Sequence, residues 1–250
     1  MSGLTRRELA LGALCLPLAR QARAFGDSSL VDIAEIDLGP GTTSRPNAWK
    51  RLLYEVIQTT SVECIARSAR TDPSSEELFA HPFSVILGAE GFADPSAQVM
   101  EQLSRYLSYG GFLLLDDISG AAESGFDKSV RRLCRALFPT RPLAPIPADH
   151  SIYRSFFMLD APVGRVARHR HLEGVTVGNI TPLVYCRNDL SGALDRGNDG
   201  RHRYPCTPGG EAQRREGVKL GINLILYSLT ANYKRDQAHV RQLMLEGRLE

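Results

Sequence analysis

Two adjacent carboxylates, Asp116 and Asp117, follow the unbroken apolar run Phe112-Leu-Leu-Leu115. Acids placed at the end of a buried strand can hold a metal, orient a water or accept sugar hydroxyls. Neighbouring side chains of an extended segment point to opposite faces, so the pair is not one bidentate site. One acid can face a cleft while the other caps the next segment through backbone N–H groups. His150, directly after Asp149, has the chemistry of a general base or a metal ligand, and equally of a residue that fixes the loop from Pro147 to Tyr153 by hydrogen bonding. With Asp117 as carboxylate, Asp116 as orienter and His150 as base, the three describe a hydrolase acting on a carbohydrate or small ester-like substrate.

Other polar residues are weighed in the same way. Asp37, Glu90, Asp117 and Asn188 fall near the ends of proposed buried strands, and their convergence would make an acidic, hydrogen-bonding cleft suited to a small sugar, a polyol or a cation. Arg187, Arg201, His202 and Arg203 surround a polar loop, where they supply anion contacts or form a solvated charged surface. Tyr233, Lys234, Asp236, Gln237 and His239 form either a solvated helix end or a docking surface for another exported or membrane-associated protein. His81, before Pro82, reads as a loop residue, and His169-Arg-His171 lacks the spacing of a helical zinc pair. No cysteines stand in the close pairs of a zinc or iron centre, and neither a metal nor a cofactor is indicated. Cys64 and Cys134 lie among apolar residues as small hydrophobes, while Cys186 and Cys206 flank the polar loop at positions that permit a disulfide.

The elements that must position these residues follow from periodicity. A strand over Leu30–Leu38 leads to a helix whose apolar face is Trp49, Leu52, Leu53, Val56 and Ile57, with Ser44 or Thr43 as cap and Pro46 in the first turn. A short strand over Val62–Ala66, a loop with a short helix up to Phe79, and a buried strand ending at Gly88 come next. A helix carrying Val99, Leu103, Tyr106 and Leu107 then runs into Gly110 and Gly111, ahead of the central strand. A further helix covers Phe126–Phe138. Three strand-to-helix repeats predict a parallel sheet covered on both faces, with ligands beyond the carboxyl ends of its strands. The turn before Pro46 lacks the glycine spacing of a dinucleotide fingerprint. After a proline-punctuated extended link, strands are predicted at Val175–Ile180 and Pro182–Cys186, then a polar loop from Asn188 to Gly210 acting as lid or surface insert, and a long final helix from Glu211.

The amino terminus reads as a leader. Arg6-Arg7, the apolar stretch Leu9–Ala19 and Ala22-Arg23-Ala24 predict a twin-arginine-type signal peptide over residues 1–24, an exported protein in the periplasm or outside the cell, and a single α/β domain over residues 25–250. The leader holds four arginines and one glutamate, so its removal changes the formal charge from +2 to −1. The slight basicity is therefore leader charge, and without a basic and aromatic pattern it argues against nucleic acid. The apolar run Val218–Leu229 is too short for a membrane span, so no mature transmembrane segment is expected.

Several segments together resemble the bacterial domain-of-unknown-function family four-one-five-nine. They are Leu78-Phe-Ala-His-Pro-Phe83, the stretch Leu103–Gly120, Asp149-His150 with Ile152, and Leu220–Val240. The resemblance implies a three-layer, flavodoxin-like domain of the class I glutamine amidotransferase-like kind with a mostly parallel sheet, and it carries no activity with it. An active amidotransferase of that class would present a cysteine on a sharp strand-to-helix turn. Here no Gly-x-Cys-x-Gly exists, Cys134 lies in a helical pattern, and Ser119 lacks a glycine two residues before it. The leading reading is an exported, non-catalytic small-ligand-binding or protein-interaction domain, with the hydrolase as the alternative.

Overall fold

The computed structural model describes the backbone of residues 30–245 and the side chains of residues 30–231. The leader read in residues 1–24 and the side chains of Tyr233, Lys234, Asp236, Gln237 and His239 lie outside the described residues.

The central strand β5 (Phe112–Asp117) shows why the chain folds as it does. All six of its residues are buried, with Phe112 and Leu114 in one hydrophobic cluster and Leu113 and Leu115 in another on the opposite face. A strand apolar on both sides needs helices on both sides. One layer contains α1 (Pro46–Thr59), α4 (Leu190–Leu194) and α5 (Gly210–Leu245); the other contains α2 (Ala97–Ser108) and α3 (Gly125–Leu137). Around β5 lie β1 (Val31–Ile36), β2 (Thr42–Thr43), β3 (Cys64–Thr71), β4 (Phe83–Gly88), β6 (Ala144–Pro145), β7 (Glu173–Val177) and β8 (Ile180–Cys186), in the order β3-β1-β4-β5-β8-β7-β6 with β2 beside β4. The five strands β3, β1, β4, β5 and β8 are parallel, whereas β2, β6 and β7 each pair antiparallel with a neighbour. The sheet is thus mixed and mostly parallel.

The chain turns one way from β1 to β3 and the other way to reach β4, which leaves a notch between the carboxyl ends of β1 and β4. That notch is filled from within. Pairing of β1 with β4 stops at Glu35 opposite Val85, β1 leans toward β3, and β2 takes the vacated place opposite Leu87 and Gly88. Such close packing requires glycine. A Cβ on Gly88 would lie 2.3 Å from the Gly41 carbonyl oxygen and 2.6 Å from the Phe126 ring, while Gly41 has φ +96° and faces the Gly91 carbonyl.

Several sequence expectations need correction. The strand expected over Val62–Ala66 runs from Cys64 to Thr71, because its pairing with β1 extends to Ile36 opposite Thr71. Neither Ser44 nor Thr43 caps α1: Arg45 occupies that position without a side-chain cap, and its N–H donates to Glu35 Oε2 at 2.7 Å. The polar loop expected to begin at Asn188 first forms the buried helix α4. All four described cysteines are free, so the permitted Cys186–Cys206 bridge is not formed. Among the described residues no helix is long and apolar enough to cross a membrane.

Gly88→Ala is expected to lower stability by about 1–3 kcal/mol through overpacking against a backbone oxygen and an aromatic ring. Urea unfolding would show a lower midpoint at unchanged slope; an unchanged midpoint would mean that the β2 loop does not hold the notch closed.

Candidate functional site

The carboxyl end of β5 sends one acid to each face of the sheet. Asp116 is fully buried and accepts the Leu190 and Ser191 backbone N–H groups at 2.9 and 2.8 Å, the first turn of α4. Asp117, 2 % exposed, accepts the Ser119 N–H at 2.9 Å, the Ser124 hydroxyl at 2.5 Å and the Tyr185 hydroxyl at 3.3 Å. Ser124 in turn caps α3 by accepting the Asp127 N–H. Both acids therefore hold helix starts, one directly and one through a serine, where a negative charge meets the unpaired N–H groups.

Each acid sits in its own network. On the α4 face, Asp189 caps the helix at φ 54° and accepts the Gly192 N–H. Its carboxylate also pairs with Arg45 at 2.6 Å and with Arg165, and Arg45 covers the Tyr204 ring at 4.6 Å. On the α3 face, Tyr185 shares its single hydroxyl proton between Asp127 at 3.2 Å and Asp117 at 3.3 Å. Arg131 grips Glu173 with two hydrogen bonds of 3.0 Å and Asp127 with a third, and Arg187 adds a bond to the Ala122 carbonyl. His169 packs against this cluster, its pKa lowered by burial and by Arg187. The α4-face network sets two acids against two arginines and the α3-face network three acids against two, with Arg187 Nε and His169 Nε2 buried there without a hydrogen-bond partner; neither is an open acidic cleft.

The remaining expected residues do not join them. His150 lies toward the amino end of β8: its Nδ1 accepts the Ile152 N–H at 3.1 Å, so Nε2 carries the proton facing the Thr181 hydroxyl at 3.2 Å, and the ring packs on Tyr227. Burial lowers its pKa, which keeps the ring neutral. Asp117 contacts Tyr185 at the opposite end of the same strand, so the Asp117–His150 hydrolase pair is not assembled. Asn188 uses its whole amide on the preceding segment, accepting from Arg168 and His169 and donating to Pro162 and His169 carbonyls. Asp37 is held by Gly39, Thr42 and Arg70 and borders a shallow depression with Thr71 and Asp72, while Glu90 is exposed. His81 is buried, not a surface loop residue, and meets Asp32 at 2.6 Å at the amino edge of the sheet. Asp37 and Glu90 stand apart, while Asp117 and Asn188 adjoin through His169 but spend their hydrogen bonds on different segments, so the four do not form one acidic cleft.

Sequence reasoning passed over Arg45, Arg165 and Asp189. The signal for Asp189 was present, since an Asp directly before Leu190-Ser-Gly-Ala-Leu194 is a helix-capping pattern. Nothing local marked Arg45 as its partner, 144 residues away.

Burial first, and the nearby Asp189 carboxylate second, push the Asp116 carboxyl up to about 6 from its ordinary 3.8. A carboxyl whose pKa is higher in the folded than in the unfolded state contributes stability when protonated; that contribution is complete below the unfolded value and is lost as pH rises through the folded one. Asp116→Asn removes the dependence. Its stability relative to the unaltered chain should therefore rise between about pH 4 and about pH 7, by roughly 3 kcal/mol at most. Urea melts across that interval read the difference, and a flat difference would overturn the assignment.

A family model described as Domain of unknown function (DUF4159) matches residues 32–229, from the second residue of β1 through β8 and into α5 as far as Leu229. No curated protein is similar enough to this chain to count as a match.

Proposed function

The chain belongs to the family described as a domain of unknown function, DUF4159, and from that premise we propose that it is a non-catalytic binding domain that works after twin-arginine export. The observation that carries this reading is the engagement of both strand-end acids. Each oxygen of Asp116 accepts an α4 backbone N–H group, and Asp117 accepts from Ser119, Ser124 and Tyr185. A general acid, base or nucleophile must reach the substrate's reacting atoms, and these groups reach the protein's own helices.

The scaffold reading agrees with this. The parallel strands follow the order β3-β1-β4-β5-β8, equivalent to 2-1-3-4-5, the order of flavodoxin-like sheets. This supports a flavodoxin-like, class I glutamine amidotransferase-like scaffold. In such sheets the ligand crevice lies where the strand order reverses, and here that crevice is occupied by β2 and its flanking glycines. Cys134 and Cys186, both buried and with pKa values raised by burial, lie within α3 and β8 rather than on an exposed strand-to-helix turn, as a nucleophile elbow would require. Binding without turnover is the function that remains natural to this arrangement.

The test is a thermal-shift screen of the purified chain against sugars, polyols, organic anions and divalent metals, followed by mass spectrometry of each stabilising ligand. A ligand that binds only the folded state must raise the apparent melting temperature. The expected result is stabilisation with the ligand recovered unchanged. Conversion of a bound ligand that is abolished in Asp117→Asn would overturn the reading. For export, Arg6→Lys with Arg7→Lys is expected to retain the chain in the cytoplasm in cell fractionation, and unaltered export would remove the twin-arginine assignment.

A further inference from the structure

Resting on the binding-domain reading, we propose that a cavity bounded by α1, α4, α5 and the turn from Arg196 to His202 binds a small organic oxyanion, a carboxylate or phosphate head carried on an apolar body. The cavity measures about 340 Å³, and none of the acids of the two carboxylate networks lines it. Its charged lining is Arg51, Arg196, Arg214, Arg215 and Lys219 against Glu55 and Glu211; Arg51 pairs with Glu55, Arg214 with Glu211 and Lys219 with Glu216 beside the lining, which leaves Arg196 and Arg215 as an excess of two positive charges. The domain without its leader carries a formal charge of −1, so this local excess is not a reflection of overall basicity.

The hydrogen bonds within the wall fall short of its donors. Arg214, 4 % exposed, is locked in place by the Ala193 and Tyr204 carbonyls at 2.6 and 2.7 Å and by Glu211. Arg196 Nη2 lies 3.2 Å from His202 Nε2, and a guanidinium can only donate, so the imidazole proton resides on Nδ1. That Nδ1 and the Arg196 Nε are both buried without a partner. Nothing in the protein accepts from either donor, and the two residues that carry them line the cavity, where an oxyanion oxygen supplies the missing acceptor after a small side-chain rotation. The direction of titration agrees: burial and then Arg51 lower the Arg196 pKa, while burial and then Arg214 and Arg196 lower that of His202.

The other side of the cavity is apolar, lined by Phe157, Leu194, Val218 and Ile222, which suits a hydrocarbon body rather than a bare inorganic anion. Its walls are firm. Gly221 lets α5 approach α1 so closely that a Cβ there would lie 2.6 Å from Leu52 Cδ1.

Isothermal titration calorimetry of the full chain with octanoate, octyl phosphate, octanol and inorganic phosphate tests the proposal. At least one of the two amphiphilic anions should bind about tenfold or more tightly than octanol and inorganic phosphate, and the better head identifies the source chemistry. Arg196→Gln should weaken that binding about tenfold and the exposed Arg215→Gln by severalfold, with melting temperatures unchanged or raised, because sites built for ligands carry repulsion that neutralisation relieves. Absence of binding by both amphiphiles, equal binding of octanol, or equal affinity in both variants overturns the site. A different ligand of the screen that stabilises the unaltered chain and both variants alike would also overturn it, and would leave the binding-domain reading standing. Turnover of a ligand bound here would instead overturn the non-catalytic reading alone.

Discussion

The fold depends on what the last two residues of β5 do with their charges. A strand buried on both faces can end in acids only if each acid finds donors without returning to water, since an unpaired buried carboxylate is costly. Alternation sends Asp116 to the α4 face and Asp117 to the α3 face. There the first turns of two helices offer N–H groups that no intrahelical bond can use. The acids and the helix starts satisfy one another, and a single strand end aligns elements in both layers.

Around Asp116 the arrangement brings in a second buried acid. Asp189 at 0 % side-chain exposure stands close enough to raise the Asp116 pKa, and Arg45 and Arg165 balance the charge from two distant parts of the chain. Buried ion pairs add little net stability compared with apolar packing, but removal of one partner leaves a charge stranded. Their effect is on specificity. Arg45 precedes α1 and Arg165 belongs to the irregular segment pinned by Asn188, so correct placement of both is a condition for burying Asp189 at all.

The sequence conveyed those parts of the structure that depend on neighbours along the chain. Phe112–Leu115 revealed the central strand, the spacing of Leu103, Tyr106 and Leu107 revealed α2, and Gly110-Gly111 marked its end. The capping role of one β5 acid was also legible, since alternation and strand-end position suffice for it. The site was less legible, because convergence at a sheet edge is set by side-chain direction and by what fills the edge. Asp37, Glu90, Asp117 and Asn188 do come near strand ends, yet local loops capture three of them and leave Glu90 in solvent. α4 escaped notice because five residues containing Ser191 and Gly192 carry no helical periodicity; the acceptors supplied by Asp116 and Asp189 make them helical.

The same physics explains why the cationic cavity lies off the strand ends. Once the β2 loop and the two acid networks close the carboxyl edge, the rigidity that an edge site would have used is available to the helices anchored there. α4 is fixed at its start by Asp116, and its far end carries Leu194 toward the turn that holds Arg196 and His202. Arg214 ties α5 to Ala193 of α4 and to the Tyr204 carbonyl just beyond that turn, and Gly221 sets the distance from α5 to α1. Charges of one sign can be kept close together only where the backbone is held by other interactions, because their mutual repulsion would otherwise move them apart. Here that restraint comes from the α4 and Tyr204 carbonyls that hold Arg214 and from Glu55, Glu211 and Glu216, which pair with three of the cations gathered beside α4.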